Sequence, residues 1–279
     1  MINKESFFRK FVRTIFLIAI LLLYCFPLYW MLVTSLQPVG GVEGDRTPYI
    51  VPKSITYESY EYILNQEGFS RQYRNSTVVA VGTTVSSCVL ATLAGYGFSR
   101  YKFKGRDTMS TGILVFQMIP KDLLIIPFFL LMRKFGLLSS NFGLIIAYTS
   151  FALPFCIWML IGFFNSIPTD LDECAMIDGA TKLQAFVRII LPLASPGIAA
   201  TALFAFVISW SEYLFAIVLA VDYKSALLPQ GLAAMSQEYQ TLYEPMFAGS
   251  ILVVLPVVLI YIFLEKYFVS GLTAGAIKG

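Results

Sequence analysis

Long apolar runs separated by short polar stretches set the rhythm of this chain. A bilayer core of about 30 Å takes roughly twenty helical residues. Six runs reach that length: Phe11 to Val33, about Asn75 to Phe98, Asp107 to about Met132, Phe142 to Phe164, about Ile198 to Val221, and Pro245 to Phe268. They predict an all-α membrane protein with six transmembrane helices. Tyr24, Tyr29 and Trp30 close the first run as an interfacial belt. Gly82, Ser86, Ser87, Ala94, Gly95 and Gly97 line the second. Small residues let helices approach closely in lipid, which places this helix centrally in the bundle.

Two runs carry polar interruptions. Pro120-Lys121-Asp122 breaks the third, and charges there are costly unless they face a cavity, a partner or water. Two arrangements fit: a helix kinked at Pro120 with Lys121 and Asp122 at a protein interior, or a helix whose outer part bends along the surface. The fifth run holds the island Ser209-Trp210-Ser211-Glu212-Tyr213. An intramembrane carboxylate reads either as the lining of a pathway, to which Gln117 of the third run would add, or as a structural group hydrogen-bonded between helices. Pro154 predicts a kink in the fourth run. Between the first two runs, Ser35 to Arg74 is polar and rich in Pro and Gly, yet Tyr57, Tyr60, Ile63 and Leu64 recur at helical spacing. That spacing predicts a short surface helix over the outer end of the bundle.

The longest polar interruption of the C-terminal half lies at Pro168 to Pro192. Thr169 stands three residues before Asp172, as in a capping box, and Asp170, Asp172 and Glu173 place negative charge in a first turn. Gly179 supplies a stop. A second box, Thr181 with Gln184, precedes a run that Pro192 ends. The reading is two short helices joined at Gly179, outside the bilayer, with Leu171, Cys174, Ala175, Leu183, Phe186, Val187 and Ile190 on their apolar sides. So much apolar surface on a loop needs a partner to pack against. The bland alternative is an amphipathic connector resting on lipid headgroups.

Composition narrows the function. With 57% hydrophobic and 13% charged residues and a mean hydropathy of +0.73, the chain is no ordinary soluble protein. A net charge of +3 is too small to argue for nucleic acid. Four scattered cysteines and no histidine exclude a disulfide framework and the commonest metal ligand. Twelve cations fall on the side of the N-terminus, the Arg100 to Arg106 loop and the Thr169 to Pro192 loop, against seven on the other. This places those loops and both termini in the cytoplasm. The first run exceeds a signal-peptide core and has no small-residue cleavage site, so it reads as a retained span.

Glu173-Cys174-Ala175, Asp178-Gly179-Ala180 and the closing Ile189-Ile190-Leu191-Pro192 resemble the glutamate-alanine-alanine loop of type I ABC importer permeases, with Cys174 in place of the first alanine. Trp210-Ser211-Glu212-Tyr213 resembles that family's Trp-Asn-Glu-Phe segment, and Gly271-Leu-Thr-Ala-Gly-Ala-Ile-Lys-Gly resembles the closing signature of its carbohydrate branch, through Gly271, Thr273, Gly275 and Lys278. Of the maltose-type permeases, the resemblance is to the smaller partner.

The resemblance implies the type I fold, with an N-terminal helix and external loop over 1–70, a transmembrane domain over 71–268 and a cytoplasmic tail over 269–279. It implies that Asp172, Glu173, Cys174, Ala175, Asp178, Gly179, Ala180, Phe186, Leu191 and Pro192 form a coupling loop that docks on an ATPase. Trp210, Ser211, Glu212, Tyr213 and Gln117 would line the pathway, with Trp210 and Tyr213 able to lie against a sugar ring. The implied partners are a second permease, an ATPase dimer, an extracytoplasmic sugar-binding protein and membrane lipid, in a bacterial inner membrane. No cofactor is expected on this chain: it has no G-x-x-x-x-G-K-S/T cradle, so ATP and Mg would sit on the ATPase. The rival is an ion-coupled carrier or channel using Glu212, Lys121 and Asp122, although no convincing internal repeat supports it. An intramembrane enzyme is weaker still, for want of histidine, a nucleophile elbow or a metal motif.

Overall fold

A computed structural model describes residues 7–40, 54–236 and 242–276, all helices and connections. Four of its helices are long and apolar enough to cross a membrane, and six spans result if each of two bent helix pairs counts as one. The chain forms two compact units, one from residues 1–69 and 232–255, the other from 70–231 and 256–279.

In the first unit, α1 (Phe7–Ser35) carries its charges, Arg9, Lys10 and Arg13, in its first two turns and is otherwise strongly apolar, the signature of a membrane span. Its end is stitched to α2 (Glu58–Asn65). The Ser35 and Tyr60 hydroxyls lie 2.8 Å apart, and the Thr56 amide donates to the Leu36 carbonyl at 2.9 Å. The short helix expected here exists, but its buried face is Ser59 and Ile63, whereas Tyr57 and Leu64 are exposed.

In the second unit, α3 (Phe69–Arg100) and α6 (Asn141–Ser166), which holds Pro154, are the long unbroken elements. They touch where α3 is thin: a methyl on Gly95 would stand 2.9 Å from Leu160 Cβ. The Ser86 and Thr149 hydroxyls meet at 2.7 Å between the same helices, so small polar residues supply both close approach and a bond. Around them α4 (Arg106–Gln117), a 3₁₀ turn (Lys121–Leu124) and α5 (Ile125–Lys134) form one bent pair, turned by 90°.

After α6 come the loop helices α7 (Asp170–Ile177) and α8 (Lys182–Ala185), a π turn (Phe186–Ile190), a short turn (Leu191–Leu193) and α9 (Ser195–Trp210). Next come α10 (Leu214–Leu219), α11 (Leu228–Ala234) and α12 (Tyr243–Ala276). One cluster of buried side chains, including Ala152, Cys156, Leu160, Phe164, Phe186 and Ile190, packs α6 against the π turn. A second, including Val79, Leu144, Tyr148, Phe215 and Leu219, packs α3, α6 and α10.

Four expectations change. Pro192 does not end the helix begun at Lys182. A proline lacks the amide and crowds the carbonyl four residues back, and the π turn just before it widens the helix enough to take the ring. The real break is a 72° bend between Leu193 and Ser195. The polar island is the end of a helix rather than the middle of one: α9 stops at Trp210, and a short α10 follows. The third run is broken more sharply than a simple kink: its two halves meet at a right angle, with Lys121 and Asp122 both exposed and Lys121 paired with Glu212. The tail, expected to be flexible, continues α12 through Ala276 and so carries Gly271, Thr273 and Gly275 in a helix. Lys278 lies outside the described residues.

Candidate functional site

The loop after α6 turns its corner with bonds among its own residues. α7 closes in a Schellman motif: the Gly179 amide donates to the Met176 carbonyl at 3.1 Å and the Ala180 amide to the Ala175 carbonyl at 3.0 Å. Gly179 takes φ +87°, a conformation L side chains resist. α8 then opens with a complete capping box, Gln184 N–H to Thr181 Oγ1 at 3.3 Å and Thr181 N–H to Gln184 Oε1 at 2.8 Å.

The first box does not form. Thr169 makes no side-chain cap bond, because its own backbone is already helical (φ −63°, ψ −27°) and the Asp172 amide donates to its carbonyl at 3.0 Å; the Asp172 carboxylate is taken up elsewhere. Arg100, the last residue of α3, donates through Nε to Asp172 Oδ2 at 2.7 Å, and the Tyr96 hydroxyl donates to Oδ1 at 2.9 Å. The same guanidinium donates to the Phe164 and Ile167 carbonyls at the end of α6, each at 3.0 Å, and the Phe164 carbonyl also accepts from the Ile167 amide at 3.2 Å. One side chain therefore binds the end of α3, the end of α6 and the start of the loop. Arg100 is 8% and Asp172 13% exposed, so the pair is largely desolvated. From the sequence alone Arg100 reads only as an orienting charge. Its place at the end of a helix full of small residues is the one signal that sets it apart from Lys102, Lys104 and Arg106.

The loop's side chains divide into two faces. Ala175 and Phe186 are buried, Phe186 against the Tyr96 ring at 4.4 Å between centroids. Glu173 lines a niche with Arg100, Lys102 and Lys182. Cys174, Asp178, Gly179 and Pro192 are exposed, and Ala180 and Leu191 half-buried. Leu171, Leu183 and Val187, expected on the apolar sides that need a partner, are exposed in this chain, and so is Ile177: Ile177 keeps 83% and Leu183 70% of its surface open.

A second feature lies where the two broken spans meet. Glu212, between α9 and α10, forms an ion pair with Lys121 of the 3₁₀ turn, and its other oxygen accepts from the Phe215 amide at 3.2 Å. The pair borders a cavity of about 370 Å³ that Gln117, Ser150, Phe151 and Ser211 also line. Gln117, Ser211 and Glu212 are thus brought together. Trp210 and Tyr213 are not among the lining residues: Trp210 is buried, stacked on Phe206 at 5.4 Å and edge-on to Tyr73 at 5.8 Å, and Tyr213 is half-buried beside it.

An all-helical bundle with broken spans around a polar cavity, and a folded loop anchored to the helix ends, is a membrane permease of the type I ABC importer fold. The chain belongs to the family of binding-protein-dependent transport system inner membrane components, whose model matches residues 87–273. It is 33% identical over 276 residues to the diacetylchitobiose uptake system permease protein DasC of Streptomyces coelicolor, covering 99% of this chain and 100% of that one. It is 32% identical over 279 residues to the trehalose/maltose transport system permease protein MalG of Thermococcus litoralis, covering 99% of each. Among solved structures, a bacterial ABC transporter involved in the import of the acidic polysaccharide alginate aligns with a TM-score of 0.79 at 25% identity, over 96% of this chain and 99% of that one.

Proposed function

We propose that this chain is one of two homologous permeases of an importer for a sugar or oligosaccharide, driven by a separate ATPase dimer. The uptake systems named for its relatives, diacetylchitobiose and trehalose/maltose, support a carbohydrate substrate. ATP and Mg sit on the ATPase, an extracytoplasmic binding protein delivers the sugar, and the Thr169 to Pro192 loop and both termini face the cytoplasm of a bacterial inner membrane. The C-terminal residues 269–279 form the cytoplasmic tail, and 71–268 the transmembrane domain.

One observation carries the coupling role. The loop is fixed on the bundle side by Arg100 and Phe186, while Leu171, Met176, Ile177 and Leu183 stay uncovered. A connector lying passively on headgroups has no use for a buried guanidinium joining it to two spans. A lever has, since a push on the outer face must reach the helices without loss. Through Asp172 and Arg100 a displacement of α7 reaches the ends of α3 and α6, and through the π turn it reaches α9.

Co-expression with the neighbouring genes and purification in detergent tests this. The expected result is copurification with an ATPase, together with disulfide crosslinking of a Leu183→Cys variant to it. Sugar accumulation by the chain alone in vesicles, with no ATPase bound, would support an ion-coupled carrier and overturn the reading.

A further inference from the structure

The right-angled break of one span and the helix end of another meet at Lys121 and Glu212, which are 91 residues apart in sequence. Their exposures differ sharply: the Glu212 side chain is 6% exposed and that of Lys121 46%. The carboxylate is part of the cavity wall but almost wholly covered, and it spends its second oxygen on the Phe215 amide. The ammonium stands at the wall itself, with three hydrogens of which the ion pair uses one. Asp122, next in sequence, is exposed and does not line the cavity. Anything entering from the open side therefore meets the positive end of a dipole whose negative end is withdrawn.

We propose that Lys121 is the charge selector of this half of the pathway. It cancels Glu212, so that no bare carboxylate faces the cavity, and it offers its remaining hydrogens to acceptor groups on the solute. The cavity then takes neutral or anionic hydroxylated solutes and disfavours cationic ones. Gln117 and Ser211 add polar contacts of no net charge, and Phe151 an apolar ring face. Low-dielectric walls focus the field of such a pair onto whatever fills the space. The inference rests on the importer reading for the identity of the solute but not for the sign of the field.

The field can be measured without knowing the sugar. A Ser150→Cys variant places a thiol on the cavity wall, and labelling of its peptide by an anionic and by a cationic methanethiosulfonate, each scaled to a free thiol, is read by mass spectrometry on the assembled transporter. With Lys121 present the anionic reagent reacts roughly tenfold faster. Adding Lys121→Met reverses the preference, and Lys121→Met with Glu212→Gln brings the ratio near one. Should Lys121→Met fail to assemble, Glu212→Gln alone, which frees the ammonium, raises the anionic preference and Lys121→Arg keeps it. A ratio indifferent to these changes overturns the proposal. Loss of ATPase copurification would sink the importer reading and leave this ratio standing.

Discussion

Asp172→Ala cuts the loop from the bundle at one atom group. In the native chain the carboxylate accepts from Arg100 at 2.7 Å and from Tyr96 at 2.9 Å, with both ionic side chains at most 13% exposed. Removing one member of a largely buried pair costs about 3–5 kcal/mol, chiefly because the other charge is left uncompensated. At about 1.4 kcal/mol per factor of ten, the equilibrium between docked and released loop shifts by roughly a hundred- to a few-thousand-fold.

The damage should be local. Arg100 keeps its bonds to the Phe164 and Ile167 carbonyls, so the ends of α3 and α6 stay joined and the protein still inserts and assembles. In proteoliposomes holding the complete transporter, ATP hydrolysis persists while sugar moved per ATP falls at least tenfold, and amide exchange accelerates across 168–181. Arg100→Met goes further, since it also removes the side-chain bonds to the Phe164 and Ile167 carbonyls, leaving Phe164 with only the Ile167 amide, and loosens the end of α6. Unchanged stoichiometry and unchanged exchange in Asp172→Ala would refute the idea that this pair transmits force.

Other expectations follow from the same geometry. Gly179 sits at φ +87° with open space where a Cβ would go, so strain and not collision decides: Gly179→Asn is tolerated, whereas Gly179→Val costs about 1–2 kcal/mol and uncouples transport in the same assay. Thr181→Ala removes half of a formed capping box and frays α8 by about 1 kcal/mol, visible as faster exchange at Gln184 with insertion intact. Gly95→Val drives carbon into Leu160 and the Ile161 backbone, costing about 1–3 kcal/mol by overpacking. It lowers the detergent melting temperature, whereas Gly97→Val, facing open space in this chain, leaves it nearly unchanged.

Local signals in the sequence were legible wherever a bond closes within a few residues. The corner at Gly179, the Thr181 and Gln184 box, the small-residue face of α3 and most span positions all obey such rules. Long-range choices were not. Nothing in the periodicity says that Asp172 will abandon Thr169 for an arginine 72 residues away, or that Lys121 will find Glu212. Proline misled for a related reason: its steric demand at position 192 is local, but a π turn is one of two ways to meet it, and packing of Phe186 and Ile190 into the core selects that one. Trp210 looked like a solute platform by residue type. At the end of a packed helix it is buried against Phe206 and Tyr73 and does not line the cavity of this chain.

The corner between α7 and α8 makes its bonds entirely from its own residues. Nothing there has to be remade when the bundle changes state, so the two short helices move as a cranked rod of fixed angle. Whatever yields during a transport cycle must yield beyond the rod, and the 72° break between Leu193 and Ser195, past the packed turn that holds Phe186 and Ile190, is one such place.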